Sequence, residues 1–319
     1  MDHPMIEMIG VEKRYGEVPV LAGIDLVVEP GEVFAVLGPN GAGKTTTINI
    51  LTTLISADAG TARVNGCDVE SDPDGVRRAI SVTGQYAAVD GFQTGFENLM
   101  MIGRLSRLGR DARGRANELL EQFDLVDAGA RRVSTYSGGM RRRLDLAISL
   151  VARPPVIFLD EPTTGLDPRS RQALWRIVRE LAADGVTVLL TTQYLEEADQ
   201  LADRIAVIAG GRIAALGTAA ELKQRVAGER VDLTFVSGED LDAAARIVVG
   251  DHVFVDPEQL SISVASEQPL GTMRELIDLM ERHAIALASI AMATPSLDDV
   301  FMALTESASG TRSAAEVAA

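Results

Sequence analysis

The run Gly38-Pro39-Asn40-Gly41-Ala42-Gly43-Lys44-Thr45, continued by Thr46, has the residue types and spacing to hold a chain of phosphates. Its glycines let backbone N–H groups turn inward around the phosphates, and a helix beginning at Lys44 adds its positive end. Lys44 reaches the terminal phosphates and Thr45 ligates Mg²⁺. Such a loop states only that a nucleotide binds, since kinases, GTPases and helicases share it. A second piece narrows the chemistry: the apolar run 156–159 ends in Asp160 and Glu161. An acidic pair at a strand end is ordinarily a solvated turn, but with a phosphate loop upstream it completes a hydrolytic site. There Asp160 holds the metal, and Glu161 orients and deprotonates the attacking water.

These residues need rigid elements to carry them. Residues 5–30 alternate apolar and polar positions and are interrupted at Gly16, Pro19 and Pro30-Gly31, which predicts short antiparallel strands. The unbroken apolar run 33–37 predicts a buried strand leading into the phosphate loop, followed by a helix over 44–54. Residues 96–153 read mainly as helices, with Leu119, Leu120 and Phe123 at helical spacing. Two further buried strands are expected at 156–159 and 186–190, with a helix over 169–183 between them. The core is therefore α/β. Beyond about residue 220, strands at 231–236, 252–255, 260–265 and 286–291 enclose helices at 240–248 and 270–283. That β-α-β-β-α-β order is the ferredoxin-like arrangement, a small C-terminal α+β domain. A last helix is expected near Pro295, with Thr294 as cap and Asp298 and Asp299 in its first turn. The residues from Ser307 onward are small and polar and predict no structure.

Composition limits the function classes. Hydrophobic residues make up 46% and charged ones 24%, as in a globular protein. No apolar run reaches the roughly 18–20 residues that cross a bilayer, and the start of the chain lacks a basic, apolar leader, so a cytoplasmic location is expected. Cys67 is the single cysteine, which leaves no internal disulfide. The net charge of −16 argues against a protein that tracks DNA or RNA, so no nucleic-acid partner is expected. Residues 226–319 carry 16 acidic and 5 basic side chains, so the acidity is concentrated there.

Four more elements make the sequence resemble the ATP-binding cassettes of ABC transporters over about residues 5–220. Tyr136-Ser137-Gly138-Gly139-Met140 resembles the family's signature motif, usually Leu-Ser-Gly-Gly-Gln, whose Ser-Gly-Gly centre opens a helix and caps the γ-phosphate held by the opposite subunit. Gly165-Leu166-Asp167 is similar to the loop that crosses the dimer interface. Gln85, twelve positions before Glu97-Asn98-Leu99, resembles the glutamine that touches both the metal site and the membrane subunit, with Gln93 as a nearby decoy. Tyr15 stands where the family stacks an aromatic ring on adenine. Arg141, Arg142 and Arg143, just after the signature, read most simply as a solvated helix face, or else as neutralising phosphate charge. Where many cassettes have a histidine after the last core strand, Thr191-Thr192-Gln193-Tyr194 places Gln193; its amide can donate to a γ-phosphate oxygen but cannot carry charge.

The resemblance implies a P-loop NTPase cassette at 1–220. It would comprise a RecA-like core, an antiparallel β subdomain and a helical subdomain over about 86–153, followed by an accessory domain at 221–306 and a tail at 307–319. It implies ATP and Mg²⁺ as cofactors, with Thr45, Gln85 and Asp160 at the metal and Lys44, Glu161 and Gln193 in catalysis. Gln193, the signature variant and the 294–301 stretch are similar to cassettes of the daunorubicin-resistance type, which serve drug and antibiotic exporters. The expected partners are a second copy of the chain and a membrane permease on a separate chain, on the inner face of the cell membrane. The other reading is a soluble ABC ATPase clamping a non-membrane partner. Such proteins usually carry two cassettes or long heptad arms, neither of which is present. A GTPase or kinase is more distant, because no Asn-Lys-x-Asp base-reading motif occurs.

Overall fold

The computed structural model describes residues 3–84, 89–226, 230–248, 253–266, 268–293, 296–297 and 300–301. Alternating polarity gives β1 (Ile6–Tyr15) and β2 (Val18–Val28), paired antiparallel across the turn at Gly16. Ile6, Met8 and Val11 of β1 are buried, and the register shift between Met8 and Val11 accommodates the slip in alternation. Both strands are longer than the punctuation suggested. Pro19 lies inside β2, opposite Arg14, and does not end it. As β2 is the edge of the sheet, the missing N–H costs no ladder bond on its outer side. With β4 (Ala59–Val64) and β5 (Cys67–Asp68) the order is β2-β1-β4-β5.

The unbroken apolar runs form the second sheet. Its strands are β3 (Val33–Leu37), β6 (Ile80–Thr83), β7 (Val156–Asp160), β8 (Thr187–Thr192), β9 (Arg204–Ala209) and β10 (Arg212–Gly217), in the order β10-β9-β3-β8-β7-β6. The pairs from β9 through to β6 are parallel, and β10 joins β9 antiparallel. Every residue of β3, β7 and β8 is buried, as a sheet covered on both faces requires. The helices α1 (Lys44–Leu51), α2 (Pro73–Ala79), α6 (Pro168–Ala183) and α7 (Leu195–Leu201) alternate with these strands. α1 stops three residues short of the expected end, because Thr53 turns left-handed at φ 63° and the Thr52 hydroxyl donates back to the Ile48 carbonyl. In-register pairing puts Leu37 beside Thr192 and Asp160 beside Thr191, so three strands end together where the phosphate loop begins.

Between β6 and β7 lie α3 (Gly95–Leu105), α4 (Ala112–Gln122) and α5 (Gly138–Ser149), which contact one another and bury Leu99, Leu119, Leu120, Leu144 and Leu146. α3 opens on a reciprocal capping box: Glu97 N–H donates to Thr94 Oγ1 at 3.1 Å and Thr94 N–H to Glu97 Oε2 at 2.8 Å.

The chain divides into two compact units between Ala219 and Ala220, at the start of α8 (Ala219–Val226). The second unit holds β11 (Arg230–Phe235), α9 (Gly238–Ile247), β12 (Val253–Asp256), β13 (Ser261–Ala265), α10 (Pro269–Arg282) and β14 (Leu287–Ala293). Its sheet is antiparallel in the order β12-β13-β11-β14, the ferredoxin-like arrangement. Val231, Leu233 and Phe235 of β11 meet Leu241 and Ala244 of α9 and Leu276 and Met280 of α10 in a separate core. Thr294, Pro295, Asp298 and Asp299, which carried the expectation of a last helix, and the chain from 307 onward lie outside the described residues.

Candidate nucleotide site

At the end of β3 the chain must turn within van der Waals contact of its neighbours. A Cβ on Gly38 would sit 2.7 Å from the Ile208 carbonyl oxygen, and one on Gly43, at φ 108°, would sit 2.5 Å from Leu21 Cδ2. The glycines therefore answer to backbone geometry and close packing. α1 starts directly after Gly43, so its first-turn N–H groups head the loop. The Lys44 side chain, only 5% exposed, turns back into the loop. Its ammonium donates to the Gly38 carbonyl at 2.8 Å and the Pro39 carbonyl at 3.1 Å, and lies 3.4 Å from Glu161 Oε1. A buried cation is thus held by two dipoles and one carboxylate at the head of a helix.

The carboxylates meet this loop from β7. Thr45 Oγ1 donates to Asp160 Oδ2 at 3.1 Å, and Thr191 Oγ1 donates to Asp160 Oδ1 at 2.6 Å. Glu161 N–H donates to the Thr191 carbonyl at 3.1 Å and lies 3.2 Å from Thr191 Oγ1. The Glu161 backbone is left-handed at φ 48°, a strained conformation for a non-glycine residue. Its carboxylate is engaged on both sides, Oε1 by Lys44 and Oε2 by the Thr164 hydroxyl at 3.3 Å. Thr191 was missed as a site residue; its signal was the register that sets it beside Asp160. Among the described residues no three His, Cys, Asp or Glu side chains cluster as a metal cage. Mg²⁺ does not need one, because it takes one or two protein oxygens with phosphate oxygens and water, and the Thr45 hydroxyl beside the Asp160 carboxylate fits that demand.

The remaining candidates divide. Tyr15 is 51% exposed at the end of β1, Thr46 and Gln193 are half-buried, and Gln85 lies outside the described residues. The decoy Gln93 is spent on Asp90 Oδ2 at 3.2 Å. Asn98, fully buried, binds the Asp90 N–H and carbonyl and so frames the loop before α3. Ser137 caps α5 by accepting the Met140 N–H at 3.2 Å, and Ser137 and Gly138 are exposed. Tyr136 points the other way: it is 4% exposed and its hydroxyl donates to the Ala128 carbonyl at 2.7 Å. Burial raises its phenol pKa. Asp167 caps α6, accepting from the Ser170 hydroxyl at 2.6 Å and its N–H at 3.0 Å, bonds that pull its carboxyl below the usual range. Gly139 packs against that cap, for a Cβ there would lie 2.2 Å from Ser170 Oγ.

The expectation of a solvated face for the three arginines fails at Arg142. It is 7% exposed, and Nε donates to the Pro162 carbonyl at 2.7 Å, Nη1 to the Gly84 carbonyl at 2.6 Å and Nη2 to the Asp160 carbonyl at 3.4 Å. Burial pulls its pKa down, while Asp145, Glu197 and Asp160 hold the charge on. Nor is it free for phosphate, since its donors go to carbonyls. Arg141 is exposed, and Arg143 binds the Phe123 carbonyl at 2.9 Å. Sequence reasoning also missed Glu197 of α7, fully buried, with Trp175 Nε1 donating to Oε1 at 3.2 Å; burial raises its pKa.

The comparisons with known proteins bear on this geometry. Residues 21–164 match the family described as ABC transporter. The chain is 50% identical to the daunorubicin/doxorubicin resistance ATP-binding protein of Streptomyces peucetius, over 98% of this chain and 96% of that one. The chain belongs to the ABC transporter family. This cassette is also 49% identical to the doxorubicin resistance ATP-binding protein of Mycobacterium tuberculosis, over 95% of this chain and 94% of that one. A solved dimeric, post-hydrolysis ATP-binding cassette bound to ADP and Pi superposes with a TM-score of 0.60 at 26% identity, covering 67% of this chain and 98% of that one. The cassette therefore binds ATP and hydrolyses it. Among the described residues no helix is long and apolar enough to cross a membrane.

Proposed function

We propose that two copies of the chain sandwich two ATP molecules, and that their hydrolysis drives export of a hydrophobic drug or antibiotic through a separate permease at the inner face of the cell membrane. The observation that carries this is the meeting of Lys44, Thr45, Asp160 and Glu161 at the ends of β3 and β7, in a chain half identical along nearly its whole length to a drug-resistance ATP-binding protein. Lys44 leaves its loop carbonyls for the β- and γ-phosphates, which offer it full anionic charge. Thr45 and Asp160 hold Mg²⁺, with Gln85 as a further ligand, and the ion supplies charge neutralisation at the phosphates. Once Lys44 is drawn to phosphate, Glu161 is free to take a proton from the attacking water. Gln193 donates to the γ-phosphate, Tyr15 stacks on adenine, and Ser137, Gly138 and Gly139 cap the partner copy's nucleotide across the interface that Asp167 approaches.

The permease docks on a groove of about 810 Å³ along α3, lined by Phe92, Phe96, Met100, Met101, Arg104 and Leu105. Phe92 is 87% and Leu105 72% exposed, apolar surface that a protein partner would cover. Co-expression with a candidate permease, co-purification and ATPase assay with and without daunorubicin tests this. A complex whose turnover rises several-fold with the drug is expected. A chain that binds no permease, and hydrolyses ATP at a rate no hydrophobic compound alters, would contradict it.

A further inference from the structure

The signature helix α5 and the hydrolytic strand β7 are joined by one buried side chain. Ser137 caps α5, and five residues on Arg142 sends its guanidinium to the carbonyls of Gly84, Asp160 and Pro162 at 2.6, 3.4 and 2.7 Å, with Asp145 Oδ2 at 3.4 Å. All three carbonyls belong to backbone beside site residues. Gly84 immediately precedes Gln85, while Asp160 and Pro162 flank Glu161. Glu161 itself holds a left-handed backbone at φ 48°, which persists only where the surroundings over-determine it. Thr191 fixes its N–H, and Arg142 fixes the carbonyl before it and the carbonyl after it.

We propose that Arg142 is a positioning residue for hydrolysis: it clamps the backbone on both sides of Glu161 and ties that clamp to the helix headed by the signature. The inference rests on Glu161 being the base. Because the acceptors are carbonyls spread over two strand ends, the clamp needs a planar fork with several donors; an ammonium is a point donor on a flexible stem and cannot span them. Displacement of α5 when Ser137 engages the partner copy's nucleotide carries Arg142 with it and so resets Glu161. ATP binding does not require this, since Lys44 and the phosphate loop make no contact with Arg142 among the bonds described.

A double-mutant cycle in the full chain with Mg-ATP decides it, using Arg142→Lys, Glu161→Gln and the pair. Arg142→Lys should lower kcat by about 10- to 100-fold, part of what a positioned base contributes, while the Kd for a non-hydrolysable ATP analogue changes by less than about threefold. In the Glu161→Gln background the same substitution should cost less than about twofold, because the base it positions is already gone. Wild-type turnover in Arg142→Lys, losses that multiply in the pair, or affinity that falls in step with kcat would each overturn the proposal. If Glu161→Gln alone retains the wild-type rate, the base assignment fails instead. Arg142→Gln, which keeps a planar donor but fewer N–H groups, is the second variant. A chain that does not fold with either Lys or Gln at position 142 shows a purely structural role and equally refutes the clamp.

Discussion

On the proposed reading, Lys44 is a phosphate-binding side chain held in place by its own loop. Its ammonium is nearly buried among the Gly38 and Pro39 carbonyls and Glu161, so the charge is compensated and already sits at the head of α1. Replacing it by Ala removes the one cation in this cradle and leaves Glu161 facing the phosphates with no counter-charge. Charged hydrogen bonds are worth about 1.5–3 kcal/mol each, so losing two weakens ATP binding by about a hundredfold or more. Lys44→Ala should therefore lose binding and hydrolysis together, read by nucleotide titration and phosphate release. Tight ATP binding retained in the variant would refute the role. Lys44, Thr45, Asp160 and Glu161 were legible in the sequence because each belongs to a short local pattern. Thr191 and Arg142 were not, because their acceptors lie far along the chain: 31 residues separate Thr191 from Asp160, and 58 separate Arg142 from Gly84. Nothing local distinguishes Arg142 from the arginines on either side of it.

At the scale of elements, the unbroken apolar runs of β3, β7 and β8 were readable as buried strands, since a parallel sheet admits no solvent-facing alternation. Which strands stand side by side was not readable, yet that order is what brings Asp160 to Thr191. The length of β1 and β2 was hidden by Gly16 and Pro19, residues that break a central strand but are tolerated at a turn and on an edge. In α7, Glu197 is buried, with Trp175 donating to its carboxylate. Its folded pKa is raised by burial, so the folded chain binds a proton more tightly than the unfolded chain does. Stability from this group is therefore full below its ordinary value of 4.5 and is lost as pH rises from there through the raised folded value. The slope cannot exceed about 1.4 kcal/mol per pH unit in that window, the limit for one proton. Glu197→Gln keeps an acceptor for Trp175 and removes the titration. Denaturant unfolding at several pH values above 4.5 should show the variant gaining on wild type as pH rises. A stability difference that is flat, or that moves toward wild type, would contradict it.

At the scale of the molecule, the chain holds one phosphate loop and one signature, so a complete site of the proposed kind needs a second copy. Net charge is unevenly shared, with residues 226–319 strongly acidic and built on a core of their own. The β-α-β-β-α-β order of that segment was legible from its alternating strand and helix stretches, whereas the strand order β12-β13-β11-β14 required the structure. The measurement that tests the central claim most directly is the mass of Glu161→Gln in Mg-ATP, by light scattering, alone and with the permease. Loss of the base should cut hydrolysis by about two to four powers of ten while ATP affinity is kept, so ATP stays trapped between two copies. A stable nucleotide-bound dimer, which wild type populates only briefly, is the result expected; a Glu161→Gln chain that turns over ATP at the wild-type rate and never accumulates a dimer would contradict the account.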